Sequence, residues 1–274
     1  MHRTRCALVV SGLVAVCGCG GQASAVSPSV PLEVLSLRLE TAHFRVWANH
    51  ATATTTTQIA ERLETEFPRL SADLGVADLP VTTVEVWSDT ESFHADMAAS
   101  IGRRVVGATG YVVGPTNVTI LDGANAAGRT THELAHCVSL RVNPRLGNNP
   151  RWLWEAVALY ENGERVDPRT LPYMQNGNYP TLAQLSGDYA SSLQIYDVGF
   201  VLGEFIVATW GRDGLIRLIQ ANGDLSGTVG LTAAEFEQRW YAFVTEKYLR
   251  EQPVVEVAAQ HRGRRCAQPA RRDD

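Results

Sequence analysis

The sequence lacks the features that mark a nucleic-acid-binding protein. Its 274 residues carry 24 basic and 29 acidic side chains, which gives a net charge of −5. A nucleic-acid-binding surface needs clustered lysine and arginine, so this balance argues against one. We therefore expect no nucleic-acid partner.

Cysteine is scarce as well. Three of the five cysteines lie in the first nineteen residues, which leaves Cys137 and Cys266 in the body of the chain. Two cysteines define no disulfide framework, although this pair could bridge in an oxidising compartment. We favour the interpretation of Cys137 as a buried thiol on a helix.

No hydrophobic run is long enough to cross a membrane, a span that takes roughly twenty residues. The apolar stretch from Cys6 to Cys19 is shorter and follows a basic start, Met1–Arg5. This order is typical of a signal peptide. We expect an exported protein, either secreted or attached to the cell envelope. Its mature net charge would be about −7, because the two arginines of the basic start are removed.

Two cleavage sites compete at this N-terminus. Ala23-Ser24-Ala25 fits an A-x-A site and predicts a signal peptide of residues 1–25. The sequence that ends at Cys19 resembles a bacterial lipobox, which predicts a lipoprotein signal of residues 1–18 and a lipid anchor on Cys19. Both alternatives stay open at this point.

The rest of the chain can bury a substantial core, since 45% of all residues are hydrophobic and only 19% are charged. Residues 26–38 contain serine and proline and are interpreted as a linker. Residues 39–251 are interpreted as one domain. The arginine-rich residues 252–274 are interpreted as a disordered basic tail.

Hydrophobic periodicity predicts an α+β fold with an N-terminal mixed sheet and a helical C-terminal half. Alternating stretches indicate strands, whereas helical spacing with capping signals indicates helices. The predicted strands cover residues 43–48, 82–87, 107–113 and 117–121. The predicted helices cover residues 58–74, 90–99, 126–142, 152–162, 192–209, 213–221 and 232–249, with a short turn at 182–185.

The helix predicted at 126–142 carries an HExxH motif formed by His132, Glu133 and His136. Residues four apart on a helix are offset by about 40°, so the two imidazoles project from one face. Eighteen residues separate His136 from Glu155, which lies at the start of the next predicted helix in a Trp-Leu-Trp-Glu sequence. Two histidines and one carboxylate with an open fourth position form a catalytic zinc site. His132, His136 and Glu155 are therefore predicted to bind Zn²⁺.

Glu133 lies beside this ligand face. There it can accept a proton from a water molecule whose pKa the zinc ion lowers to about 7. We expect Glu133 to act as general base and then to pass the proton to the leaving amine. Cys137 is rotated by about 100° from His136 and is not expected to bind the metal.

The spacing HExxH-x18-E, together with the order of elements over residues 38–250, resembles the gluzincins, the peptidase-MA-like and thermolysin-like zinc metallopeptidases. The resemblance implies a zincin-like fold, a Zn²⁺ cofactor and a peptide or protein substrate. It also implies an edge strand, at 107–113 or 117–121, that pairs with extended substrate. Tyr111 would either line the cleft there or pack within the sheet.

The resemblance also bears on two further positions, Tyr196 and Ala156. Such domains have a later helix that opens with a tyrosine, and Tyr196 occupies that place here, ahead of Trp210-Gly211. Tyr196 is therefore a candidate donor to the oxyanion, the alternative being an aromatic side chain that packs at a helix start. The family has glycine after the third ligand, whereas this chain has Ala156, whose methyl group is expected to narrow the cleft without abolishing metal binding.

The hypothesis that follows is an exported zinc metallopeptidase. An endopeptidase is favoured over an aminopeptidase, because Glu161 is the only nearby acid that could anchor a substrate amine. One alternative is a catalytically silent zinc-binding protein of the cell envelope with the same fold. Another is an α+β interaction domain in which the HExxH motif is fortuitous. The oligomeric state is not predicted.

Overall fold

A mixed five-stranded sheet supports the N-terminal half of the protein in the computed structural model, which describes residues 34–187 and 194–250. The predicted signal peptide, the lipid anchor on Cys19, Cys266 and the basic tail lie outside the described residues. The strands are β1 (Ser36–Glu40), β2 (Phe44–Ala48), β3 (Thr82–Trp87), β4 (Gly110–Val112) and β5 (Asn117–Leu121).

The sheet has the order β1-β2-β3-β5-β4. Its three central strands, β2, β3 and β5, are parallel, and both edge strands are antiparallel to their neighbours. Strands β2 and β3 mostly alternate buried and less buried residues, and the three middle residues of β5 are all buried. This is expected for strands with helices packed on them. Strand β4 therefore lies at an edge of the sheet, with β5 on one side.

Strand β1 corrects the predicted linker at residues 26–38. It begins at Ser36 and pairs with β2, so the sheet extends into that segment. Its residues are mostly exposed, which is why they give a weak hydrophobic signal. The predicted strand at 107–113 is also longer than β4, which covers only Gly110–Val112. A 3₁₀ turn at Gly114–Thr116 connects β4 to β5.

The helices confirm the predicted helical C-terminal half. None of those described has both the length and the hydrophobicity to cross a membrane. The structure contains α1 (Ala53–Asp73), α2 (Thr90–Ile101), α3 (Ala126–Val142), α4 (Arg151–Asn162), α5 (Pro172–Gln175), α6 (Leu182–Leu185), α7 (Gln194–Gln220), α8 (Leu225–Val229) and α9 (Ala233–Val244), with a 3₁₀ turn at Pro168–Thr170 and a π-helical turn at Thr245–Leu249.

Helix ends follow the capping signals of the sequence. Thr232 and Glu235 form the predicted capping box at the start of α9. Helix α1 begins earlier than predicted because the Thr52 hydroxyl accepts a hydrogen bond from the backbone N–H of Thr55. Gly211 adopts a φ of 70° inside α7 and divides it into two helical segments, as the sequence predicted.

Helix α4 is the centre of the helical half. It packs against α3 on one side and against α7 on the other. The contact with α7 is close: a Cβ atom at Gly203 would lie 2.5 Å from Cβ of Tyr160 and 2.9 Å from the carbonyl oxygen of Ala156. Glycine at this position lets α7 hold α4 tightly against α3.

A buried carboxylate ties α4 to its neighbours. The Glu161 side chain has no solvent exposure, and its two oxygens lie 2.9 Å from Arg69 Nη1 and 2.7 Å from Arg212 Nη1. Both arginines also contact Asp73 Oδ2 at 3.0 Å. The pairs link α1, α4 and α7. Burial raises the pKa of Glu161, although Arg212 and Arg69 act in the opposite direction.

We predict that Glu161→Gln lowers the free energy of unfolding by about 2 kcal/mol. Breaking a fully buried ion pair costs roughly 3–5 kcal/mol, and the loss is smaller here because both arginines retain access to water. Chemical denaturation measures the change. The matched control is Glu40→Gln, since Glu40 forms an exposed pair with Arg45. Equal effects of the two variants would show that the Glu161 pairs add no stability.

Candidate metal centre

Three side chains predicted as ligands converge in the structure. One ligand atom each from His132, His136 and Glu155 lies within 4.8 Å of the other two. Glu155 Oε2 is 3.3 Å from His132 Nε2 and 3.7 Å from His136 Nε2. His136 and Glu155 are buried, and the His132 side chain is 13% exposed. These three residues form a group that could hold a metal ion.

The spacing fits a tetrahedral ion. Ligands about 2.0–2.1 Å from one ion in a tetrahedron lie about 3.4 Å from each other. The two His–Glu separations of 3.3 and 3.7 Å are close to this value. Two imidazoles and one carboxylate are also the donor set of catalytic zinc sites with an open fourth position. The three residues therefore fit a metal ion.

Local sequence explains how the two helices meet. His132 and His136 are one turn apart on α3, and their rings are perpendicular with centroids 4.7 Å apart. The chain then turns at Asn143, whose Nδ2 donates a hydrogen bond to the carbonyl oxygen of Ile219 on α7 at 2.8 Å. This anchored turn brings Glu155, in the first half of α4, back against α3.

Trp154 orients one of the ligands. Its ring stacks on the His136 imidazole with a centroid distance of 3.8 Å and an angle of 7°. Nδ1 of His136 is buried without a hydrogen-bond partner among the described residues, so stacking takes the place of the usual second hydrogen bond. Sequence reasoning missed this role. The signal was the aromatic residue directly before Glu155.

Burial and neighbouring charges shift the pKa of each ligand. Burial lowers the pKa of His136 to about 4, against the attraction of Glu155. Burial alone would raise the pKa of Glu155, but the two imidazoles hold it well below its usual value. At neutral pH, His136 is therefore neutral and Glu155 ionised, the states that bind a cation. Burial also acts to lower the pKa of His132, but Glu155 and Glu133 outweigh it and raise that pKa.

Glu133 lies beside the ligands, as predicted. Burial raises its pKa to about 7, the nearby His132 acts to lower it, and Glu155 acts to raise it. Gly110 of β4 lies directly against it: a Cβ atom there would be 2.4 Å from Glu133 Oε1. Gly110 is a second residue that sequence reasoning missed, because the contact joins two elements far apart in sequence.

Tyr196 reaches the centre from α7. Its hydroxyl donates a hydrogen bond to Glu155 Oε1 at 3.2 Å, and its side chain is 36% exposed. The guanidinium carbon of Arg151 lies 5.7 Å from the centroid of its ring. Tyr196 therefore lies at the site, held against a ligand. Its role as oxyanion donor stays a prediction.

A cleft of about 1240 Å³ opens over the three ligands and Glu133. Strand β4 forms one wall of the cleft, and Tyr111 lines this wall while donating a hydrogen bond to Asp96 Oδ2 at 2.5 Å.

The expectation that Ala156 narrows the cleft is wrong: Ala156 is buried and its Cα faces Gly199 of α7. Cys137 is buried, and its Sγ lies 3.7 Å from the carbonyl oxygen of Gly114, away from the ligands.

We predict that Zn²⁺ stabilises the metal-free protein and that Glu155→Gln and His136→Ala lose this effect. Zinc at a hundred times its dissociation constant adds about 2.7 kcal/mol, a rise of roughly 5–10 °C in melting temperature for a domain of this size. Differential scanning calorimetry with and without zinc measures the rise. His43→Ala is the matched control, since it removes an imidazole that instead contacts Glu64. An undiminished rise in His136→Ala would place the ion elsewhere.

Comparisons with known proteins found neither a matching protein-family model nor a matching curated protein.

Proposed function

We propose that this chain is an exported, zinc-dependent metallopeptidase of the gluzincin type that hydrolyses peptide bonds with Glu133 as general base. The observation that carries the proposal is the convergence of His132, His136 and Glu155 beside Glu133 at the base of an open cleft. These three residues would hold the ion. A bound zinc ion supplies a Lewis acid that polarises a carbonyl group and acidifies water.

Glu133 is suited to move a proton in this cleft. A general base must lie within reach of the proton that it abstracts, and Glu133 lies beside the residues that would hold the ion. Its carboxylate lies at the cleft surface beside β4. There it would accept a proton from the attacking water and return it to the leaving amine.

Strand β4 is suited to bind substrate in an extended form. It is one of the two edge strands of the sheet and pairs with β5 on one side. An edge strand presents backbone N–H and C=O groups that can pair with another extended chain. A peptide added along β4 would pass directly over Gly110 and Glu133.

Tyr196 is proposed to donate a hydrogen bond to the oxyanion. Its hydroxyl is within hydrogen-bond distance of Glu155, and its partial exposure gives it access to the cleft. A donor aimed at developing negative charge is worth roughly 2.7–4 kcal/mol in comparable sites. Arg151, beside the ring, helps to hold Tyr196 in this position.

Cleavage within a peptide is favoured over removal of its first residue. Glu161, the acid considered as an anchor for a substrate amine, is buried between Arg69 and Arg212 instead. It does not line the cleft. Glu164 is the other acid at the cleft wall besides Glu155 and Glu133; it is exposed and accepts a hydrogen bond from Asn162 Nδ2. The proposal is an endopeptidase, with a peptide or protein as substrate.

We predict that Glu133→Gln keeps one zinc ion per chain and lowers turnover of a mixed peptide library by at least roughly 100-fold. Loss of a general base typically costs 10²–10⁴-fold. Mass spectrometry of the digested library and metal analysis of the purified chain are the two measurements. Glu91→Gln is the control, because Glu91 is 85% exposed and pairs with Arg104.

Different results separate the alternatives. Stoichiometric zinc without any cleavage by the unaltered chain would favour a silent zinc-binding protein. Absence of zinc, together with no effect of His132→Ala, would mean that the HExxH motif is fortuitous. Full activity in Glu133→Gln would remove Glu133 from its proposed role.

We also predict that Gly110→Ala lowers kcat/KM about tenfold while changing the melting temperature by less than about 2 °C. The added methyl group would displace the Glu133 carboxylate, which is the end of a flexible side chain and can move at small cost to stability. Peptide cleavage and calorimetry on the same preparation test this. Unchanged kcat/KM would show that β4 does not position Glu133.

A further inference from the structure

The walls of the cleft carry an excess of positive charge. Apart from the three ligands and Glu133, its charged lining residues are Arg103, Arg129, Arg141 and Glu164. Three arginines against one glutamate leave an excess of two positive charges. The chain as a whole is acidic, at −5, so this excess is local.

These three arginines have no carboxylate partner within salt-bridge distance among the described residues. Arg104, the neighbour of Arg103, pairs with Glu91 at 2.8 Å. Arg141 Nη2 lies 3.3 Å from the carbonyl oxygen of Asp78. A cation without a counter-charge at the wall of a cleft is available to a ligand carboxylate.

Arg129 is the most firmly held of the three. Its Nη2 donates a hydrogen bond at 2.8 Å to the carbonyl oxygen of Leu121, and its Nη1 contacts the carbonyl oxygen of Ala124. Its Nε is buried and has no hydrogen-bond partner among the described residues. Burial lowers the pKa of Arg129, and the more distant Asp122 and Glu164 only partly offset this. The guanidinium is therefore fixed in place at the wall of the cleft.

Two of the three arginines lie on α3, one before and one after the ligand histidines. Gly110 lies against Glu133 and Gly114 against Cys137, so β4 and α3 run in the same direction along the cleft. Arg129 is one turn before His132 on α3. Arg141 lies beyond His136, about 18 Å along the helix from Arg129. This distance corresponds to about five residues of an extended peptide.

Glu164 does not neutralise the cleft. It is an exposed residue, and its Oε2 accepts a hydrogen bond from Asn162 Nδ2 at 3.0 Å. It acts on Arg129 only at longer range, because no salt bridge joins the two. Water screens an exposed charge of this kind more strongly than it screens the partly buried Arg129.

We infer that the cleft selects substrates with carboxylate groups on either side of the scissile bond, and that Arg129 is the residue that holds the nearest one. This inference rests on the proposed peptidase function. The carboxylate can come from an aspartate or glutamate side chain or from the C-terminus of a short peptide. Both sources present the planar, two-oxygen group that a guanidinium binds with paired hydrogen bonds.

The first test compares three peptides of one sequence in which glutamate, glutamine or lysine flanks the cleaved bond. We expect kcat/KM to be about tenfold higher for glutamate than for glutamine, and lowest for lysine. A fourth peptide carries glutamine and ends in a free carboxylate close to the bond, and a fifth ends in an amide. A preference confined to the free C-terminus would identify the terminal carboxylate as the group that is bound.

The second test assigns the preference to residues. Arg129→Gln should reduce the ratio of kcat/KM for the glutamate peptide to kcat/KM for the glutamine peptide at least threefold. Arg129 also holds the chain near Leu121, so Arg141→Gln provides a second variant in case Arg129→Gln does not fold. Arg104→Gln is the matched control, since Arg104 is paired with Glu91 and does not line the cleft.

Binding separates failure of this inference from failure of the proposed function. Fluorescence anisotropy with labelled glutamate and glutamine peptides, on the full chain carrying Glu133→Gln, measures affinity without turnover. Tighter binding of the glutamate peptide, lost in Arg129→Gln or Arg141→Gln, supports the inference even if neither peptide is cleaved. Cleavage and binding of both peptides to the same extent would overturn the inference and leave the peptidase function intact.

Discussion

The burial of Glu155 between two imidazoles is the constraint on which the rest of the structure depends. A carboxylate removed from water is costly unless cationic or hydrogen-bonding groups surround it. Here the Nε2 atoms of His132 and His136 face its Oε2, and the Tyr196 hydroxyl contacts its Oε1. That arrangement requires α4 to lie close to both α3 and α7. Gly203 lets α7 pack closely against α4. The turn at Asn143, held by its hydrogen bond to Ile219, lets α4 pack back against α3.

Much of the fold could be predicted from the sequence, because local signals determine it. Helix α3 and strands β3 and β5 have the predicted bounds, since each combines a clear hydrophobic period with turn residues at its ends. Strand β1 and helix α8 were not predicted. Both are short, and β1 forms only because β2 offers a partner, which is a tertiary effect that no local pattern contains.

The candidate site likewise has a part that the sequence predicts and a part that it does not. His132 and His136 are neighbours through helical spacing alone, so their pairing could be inferred from sequence. The roles of Gly110 and Arg129 could not, because both depend on how closely β4 and the end of β5 approach α3. Glu161 shows the reverse error. From the sequence it was the one nearby acid that could have anchored a substrate amine, but packing of α1 and α7 around α4 surrounds it with arginines and makes it structural.

The charge of the cleft has a consequence for how selection would operate. An acidic chain does not attract acidic substrates from a distance, and at physiological ionic strength charges are screened over about 8 Å. The excess of arginine at the cleft can therefore act only after a peptide has entered. Selection of this kind changes how long a substrate stays bound more than how often it arrives. Arg129, held by backbone carbonyl groups, loses little conformational freedom on binding, so more of its attraction for a carboxylate is retained as affinity.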